Sequence, residues 1–288
     1  MSLNQLKRKI SSINSTSKIT NAMRLISTTK SKKQKNMYDN IKDYFNDFYK
    51  IMALLLEDNN LDLLKTSNPD DATLWINITS SMGLCGGYNV GVNNLLLKHI
   101  KKEDLIIQIG KKGLDFIKAK GVKNEIARFY DFADKKIMYT TCTEIARYIL
   151  NELEAGKFNK IKLTYVKFVN AITFEPTIID IFPINKDFLN SINVNNKSSS
   201  YIEFNPNKEE ILKNLIPDYI ATIIYGALIE AKVSEYSSRR NAMDTATKNA
   251  DELSEKYTLA YNNLRQTQIT NEIIEIISGN SNNKKEGE

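Results

Sequence analysis

Helix breakers are missing from both ends of this chain. Residues 1–68 hold neither glycine nor proline, and residues 218–278 hold only Gly226. Ordinary usage would place roughly eight of the two in the first stretch. Inside a helix they cost about 1 and about 3 kcal/mol respectively, so their absence predicts two long helices bracketing a middle segment. At 1.5 Å per residue each would span on the order of 80–90 Å, more than a compact core requires. Such a length suits a lever, a strut or a shaft.

The pattern along those helices predicts that they pair. Leu3, Leu6, Ile10 and Ile13 follow 3-4 spacing, as do Tyr38, Ile41, Phe45, Phe48, Met52 and Leu55. The same register in between lands on polar residues (Ser17, Thr20, Arg24, Ser27, Ser31, Gln34), while Ile19, Met23 and Ile26 sit one step off. Read by hydropathy, the stripe shifts there, which predicts a stutter or a change of partner. The alternative is an irregular but continuous coiled coil. The last helix repeats the theme with smaller residues at Ala246, Ala250, Leu253, Tyr257, Ala260 and Leu264, after Ala227, Ala231 and Ser234. Antiparallel pairing would bury both stripes. Pro206 and Pro217 are expected to punctuate the start of this helix, with Asn205 or Asn207 as its cap.

Most of the glycines and all five prolines lie between residues 69 and 217. Strands are predicted at 74–78, 104–109, 160–169 and 174–182, and helices at 89–99, 111–120 and 138–154. This alternation argues for an α/β layer with at least partly parallel pairing. Residues 190–200, rich in Asn and Ser, read as a loop.

Composition excludes several classes. No apolar run reaches the 18 or so residues of a membrane span, and the start lacks the apolar core of a secretory signal. Two cysteines, Cys85 and Cys142, make no disulfide framework and point to reduced thiols. His99 is the single histidine. Asp131, Asp134, Glu144, Glu152 and Glu154 read as solvated charge, so an enzyme would have no residues to rest on. The 33 Lys, 7 Arg and 33 Asn look like an AT-rich genome and weaken any reading of the +6 net charge. Nine basic side chains nevertheless crowd the first 40 residues against one acid, Asp39. Besides a solvated face, that suits an acidic protein socket, an anionic membrane surface or nucleic acid. Nucleic acid is the weakest of these, because residues 1–37 carry no aromatic stacking platform.

Gly83-Leu84-Cys85-Gly86-Gly87-Tyr88-Asn89 follows a predicted strand and precedes a predicted helix, where nucleotide folds cradle phosphate. No Gly-Lys-Ser/Thr follows it, and the spacing of the dinucleotide fingerprint is absent. Glycines here are sufficiently explained by a tight strand-to-helix turn.

Together these segments resemble the gamma subunit of the F-type ATP synthase over nearly the whole chain. Lys18-Ile19-Thr20-Asn21-Ala22-Met23 with Ser27 and Lys30 is similar to the family's amino-terminal signature, and the glycine loop to its internal motif. Ser234-Glu235, Arg239, Ala242-Met243, Leu264-Arg265-Gln266, Ile269-Thr270 and Glu272-Ile273 fit its carboxy-terminal motif. The resemblance implies a long antiparallel coiled coil (1–66 and 206–280) with an inserted Rossmann-like α/β domain (67–205) and a disordered tail (281–288). It implies a non-catalytic rotor shaft without cofactor or metal, at the cytoplasmic face of the cell membrane. Its implied partners are the alpha and beta subunits, small epsilon- and delta-type subunits and the membrane ring, with no nucleic acid and no insertion into the bilayer. By the same resemblance Met23, Arg24, Lys30, Lys33, Arg239, Arg265, Gln266, Thr270 and Glu272 would lie at subunit contacts. Glu203 and Asn205 would face the membrane ring, and Gly83, Cys85, Gly86 and Gly87 would form the middle-domain loop.

Three departures stand out. Ser81-Met82 replaces the family's usual Asp-Arg, Asn205-Pro206 its Glu-Pro, and Gly279-Asn280 its Gly-Ala. Two readings therefore stay open, the ordinary ion-coupled rotor and the gamma-like shaft of a divergent rotary ATPase. From another class, a stand-alone basic coiled coil would bind DNA with steep salt dependence.

Overall fold

A computed structural model describes residues 2–56, 72–133, 137–184, 204–205 and 207–283, the last six by backbone alone. The expected loop at 190–200 lies outside these residues, as do Asp134, Glu203, Pro206 and residues 284–288. Two compact units emerge, one of residues 27–239 and one combining residues 1–26 with 240–288.

The larger unit is built on a five-stranded sheet. Its elements in chain order are β1 (Thr73–Ile78), α2 (Tyr88–His99), β2 (Leu105–Ile109), α3 (Lys111–Ala119), β3 (Ile126–Tyr130), α4 (Tyr139–Glu154), β4 (Lys160–Phe168) and β5 (Phe174–Phe182). The long helices α1 (Leu3–Leu56) and α5 (Lys208–Asn283) precede and follow them. Strand order is β3-β2-β1-β4-β5, with β5 antiparallel to β4 and the other neighbours parallel. Central β1 is buried throughout and reads as a nearly continuous apolar run, as a strand covered on both faces must. One face carries Leu74, Ile76, Ile107, Leu163 and Tyr165 against Ile145 and Ile149 of α4, Phe45, Phe48 and Met52 of α1, and the middle of α5. On the opposite face Trp75 and Ile106 pack against Leu96 of α2 and Ile117 of α3.

β3 escaped the sequence reading for a physical reason. It is an edge strand whose residues are half-buried or exposed, with no alternation to mark it. Pro217 also sits differently from expectation: it lies inside α5, not at its start. Its ring removes one intrahelical hydrogen bond at a cost of ~3 kcal/mol. The burial of Leu212, Ile216, Tyr219 and Ile220 around it offsets that cost. Of the two candidate caps, Asn207 supplies the bond, its Oδ1 accepting from the Glu210 N–H at 2.8 Å. Gly110, with φ +92°, makes the β2-to-α3 turn, where a Cβ would stand 2.2 Å from the Thr79 carbonyl oxygen.

Beneath α2 the sheet holds a buried polar ladder. Thr164 on β4 donates to Asn77 Oδ1 on β1 at 2.8 Å, and Asn77 Nδ2 donates to Gln108 Oε1 on β2 at 2.8 Å and to Asn93 on α2 at 3.0 Å. Gln108 continues to Thr79 Oγ1 at 3.0 Å. Side chains linked in this way fix which strand rungs stand side by side, because a slip of one residue would strand several buried amides.

In the smaller unit the two long helices run antiparallel, and the register does not shift. Ser17 donates to Asp251 at 2.7 Å, Thr20 and Thr247 share a proton at 2.7 Å, and Ser254 donates to Asn14 at 2.6 Å. Thr20 is buried, while Ile19 is 61% and Ile26 56% exposed. The expected stutter is therefore absent: the seam stays in register and turns polar, and the isoleucines beside it face outward. On α5 the seam runs through Met243, Thr247, Ala250, Ser254 and Tyr257, leaving Leu253 exposed outside it. In the larger unit Ser31 and Ser237 make the same kind of pair, at 2.7 Å.

Glu230 of α5 is half-buried near the end of β4, where Tyr165 Oη donates to it at 3.0 Å and the Phe168 N–H at 3.1 Å. Burial raises its carboxyl above the usual range, against the opposing effect of those two donors and Lys167. A folded-state pKa above the unfolded value means a stability contribution that is complete at low pH and is lost as pH rises through the raised value. Glu230→Gln does not titrate, so its stability relative to the natural protein is expected to climb in urea unfolding as pH rises above the ordinary carboxylate range. Glu230→Ala orphans two donors and should cost about 1–3 kcal/mol.

The hydroxyl seam predicts the opposite sign. Thr20→Val with Thr247→Val keeps shape and replaces a hydrogen bond by apolar burial. The pair should gain on the order of 1 kcal/mol, seen as slower amide hydrogen exchange over residues 17–24.

Candidate functional site

The glycine loop leaves β1 through Thr79 and Ser80 and enters α2 at Tyr88. Two positive φ values shape it, +61° at Leu84 and +58° at Gly86. The first is tolerated at some cost in a leucine, and the second is natural for glycine. Inside the turn Ser80 Oγ donates to the Met82 carbonyl at 2.6 Å, and Asn89 Oδ1 accepts from the Ser80 N–H at 2.9 Å. Asn89 Nδ2 reaches Cys85 Sγ at 3.2 Å. The Cys85 thiol is buried, and burial pushes its pKa up despite Ser80 and Arg239 nearby. Burial thus disfavours the thiolate that a nucleophile would need.

What faces the loop is α5. Ser238 Oγ donates to the Cys85 carbonyl at 2.8 Å. Arg239 Nη2 donates to the Met82 and Gly83 carbonyls at 3.0 and 3.2 Å, and its Nε to Gly83 at 3.2 Å. Its remaining nitrogen pairs with Glu235 at 2.9 Å, and Glu235 pairs with Lys232 at 2.9 Å. Lys232 also donates to the Ala133 carbonyl at 3.2 Å, and Tyr88 Oη to the Ala231 carbonyl at 3.1 Å. Glu235 and Arg239 are 3% and 5% exposed. Charges so buried survive only when each is paired and hydrogen-bonded, as here.

This polarity is the reverse of a phosphate cradle. Loops that hold phosphate turn N–H groups toward the ligand, whereas this one turns carbonyls toward a guanidinium. The space beyond the ends of β1 and β2, walled by Thr79, Gly110, Ala231, Lys232 and Glu235, is reduced to about 10 Å³. That is room for one water, not for a nucleotide.

Arg239, expected at a subunit contact, is turned inward within this chain and holds Gly83. Met23 and Arg24 are half-buried on α1, with Arg24 bonded to Asn21 at 2.9 Å and 3.9 Å from Asp244. The Lys30 ammonium lies 5.5 Å over the Tyr236 ring. With exposed Lys33 it borders a cavity of about 600 Å³ that Gln34, Met37, Asn40 and Tyr236 also line. Arg265, Gln266, Thr270 and Glu272 are exposed, in a stretch where every residue from Arg265 to Ile277 is exposed. Asn205 is exposed, and Glu203 lies outside the described residues.

Sequence reasoning missed Ser238 and Lys232, and it quoted Asn89 only as the end of the glycine-loop motif. The i, i+3 and i, i+4 spacing of Lys232, Glu235 and Arg239 marks an ion-paired helix face, but spacing does not say whether that face is wet or dry.

Among the described residues no helix is long and apolar enough to cross a membrane. The family model described as ATP synthase matches residues 2–282. The ATP synthase gamma chain of Ureaplasma urealyticum is 46% identical over 97% of this chain and 99% of its own length. That of Malacoplasma penetrans is 40% identical over 96% and 98%. Among solved structures, the rotational-state-3 OSCP/F1/c-ring structure of the Euglena gracilis mitochondrial ATP synthase has a chain that aligns with a TM-score of 0.70. The alignment covers 97% of this chain and 93% of that one at 18% identity, a likeness of fold alone. The match across almost the whole length of both proteins, at identities of 40% and above, closes the question of kinship: the chain belongs to the gamma-chain family of the ATP synthases.

Proposed function

We propose that this chain is the non-catalytic central shaft of an F-type rotary ATP synthase. It couples nucleotide turnover in a ring of alpha and beta subunits to rotation and ion transport. The observation that carries the reading is the far part of α5, where five isoleucines (Ile269, Ile273, Ile274, Ile276, Ile277) are 43–71% exposed on one uninterrupted helix. Ile269, Ile273, Ile276 and Ile277 recur at helical spacing and form an apolar stripe. A stripe of that kind is at home in a low-friction apolar sleeve, which the bore of the hexameric ring would supply. Arg265, Gln266, Thr270 and Glu272 would be its polar contacts there.

On α1, Met23, Arg24, Lys30 and Lys33 would face the catalytic subunits beside the outward Ile19, Leu25 and Ile26. Exposed ion pairs contribute well under ~1 kcal/mol each, which lets a rotating surface attract without sticking. Glu203 and Asn205 would lie toward the membrane ring, with epsilon- and delta-type subunits completing a peripheral complex at the cytoplasmic face of the cell membrane. The middle layer supports a structural part, since its one nucleotide-like loop is closed by α5.

Tagged full-length chain should copurify with alpha- and beta-type subunits and ATPase activity; recovery without them would sink the proposal. Ile273→Asp with Ile276→Asp should loosen the shaft in the ring by about 2–4 kcal/mol, read as chain lost from the complex on dilution. Replacing Lys30, Lys32, Lys33 and Lys35 together by Gln should change ATP turnover or torque by about two- to fivefold, with no change counting against a role for the basic face.

A further inference from the structure

We propose that Arg239, with Ser238 and the Lys232–Glu235 pair, is the torsionally stiff link between α5 and the α/β layer. This positioning role rests on the shaft reading. Most of the interface between α5 and the sheet is aliphatic, made by residues such as Ile220, Ile224, Leu228 and Ile229. Such packing resists separation but is non-directional, so a helix can creep or turn against it by a fraction of a side chain. Hydrogen bonds with fixed donors and acceptors do not permit that.

The Arg239 cluster has the properties that such a link needs. One planar guanidinium bonds two successive carbonyls, Met82 and Gly83, and Ser238 next to it bonds a third at Cys85. The guanidinium cannot rotate, because Glu235 holds its other nitrogen and Lys232 holds Glu235. Lys232 in turn reaches the Ala133 carbonyl, beyond the end of β3. Two loops that follow sheet strands are thus pinned to about two turns of one helix. The loop end is equally constrained, since Ser80 and Asn89 tie it to β1 and α2. Low exposure strengthens every one of these bonds and removes the water that would otherwise exchange with them.

This arrangement also gives a purpose to the reversed polarity of the loop. In an α/β layer a ligand sits where the strand-to-helix loops open at the carboxyl ends of the strands. Here α5 occupies that place, and a side chain of the shaft takes the position of the ligand.

The test uses the assembled complex, immobilised by its catalytic ring, with a nanorod fixed to the α/β layer. At a catalytic dwell the variance of the rod angle varies inversely with torsional stiffness. Arg239→Gln is expected to raise that variance about twofold while ATP turnover stays within about twofold of the natural complex. Arg239→Lys keeps the Glu235 pair but cannot span both carbonyls, so it should restore only part of the stiffness. A loss of global stability alone would leave the dwell variance unchanged. Unchanged variance in Arg239→Gln overturns the proposal. Should that variant fail to assemble, Ser238→Ala serves, with a smaller rise in variance expected and no rise overturning it. Amide exchange on the full chain by itself separates this proposal from the shaft reading. Residues 83–88 should exchange about tenfold faster in Arg239→Gln while β1 and β4 do not change. Equal exchange would refute the clasp even for a chain that never meets a ring, and absence of the ring would refute only the shaft.

Discussion

Between Tyr219 and Arg239, α5 has no solvent-exposed residue. A helix without a wet face has to be apolar or to pair its polar groups, and this one does each in turn, with the Tyr219 and Ser234 hydroxyls as the unpaired exceptions among the described residues. Its first half is aliphatic, from Ile220 to Ile229 with Thr222, and packs on α1, α4 and the sheet. Its second half carries Glu230, Lys232, Glu235, Ser237, Ser238 and Arg239, each with a hydrogen-bond or ion-pair partner, whereas the buried Ser234 hydroxyl meets none among the described residues. The glycine loop, the end of β4 and the loop after β3 are all placed by those bonds. Remove the buried segment and the layer loses the cover of one face together with the anchors of three connections.

The same helix then inverts its character. From Arg265 to Ile277 everything is exposed, isoleucines included. No single environment explains both halves. The first is solved within the chain, and the second leaves apolar surface that none of the described residues covers, which is how one continuous helix can be a core element and present a face for an interface. Between these extremes the seam of Thr20, Thr247, Ser17 and Asp251 is neither greasy nor wet. Hydroxyl pairs contribute less than leucines would, but their geometry admits one register.

Helix extent was legible in the sequence because it depends on what backbone permits, and a chain without glycine or proline leaves few choices. Four of the strands were legible for a similar reason: β1, β2, β4 and β5 are dense in β-branched and aromatic residues. β3 was not: edge position alone does not explain it, since β5 is an edge too, but its five residues are short of apolar alternation and carry mixed signals. The stutter was a misreading of another kind. It equated burial with hydropathy, whereas the helix geometry sets burial and the side chains at Ser17, Thr20 and Ser27 merely fill the seam that geometry dictates. Pro217 shows the same limit, because a strong breaker loses to a well-packed helix.

Arg239 marks where pattern reading stops. A motif match names the residue, and helical spacing names its ion partner, yet neither says which way the guanidinium points. Direction follows from long-range placement: a loop 150 residues earlier in the chain happens to present three carbonyls where α5 passes. An arginine beside bare carbonyls and a glutamate is held more firmly by burial than it could be at any surface contact. Its inward orientation thus follows from the crowding of α5 against the layer, and the free surface is left to side chains that the fold does not use.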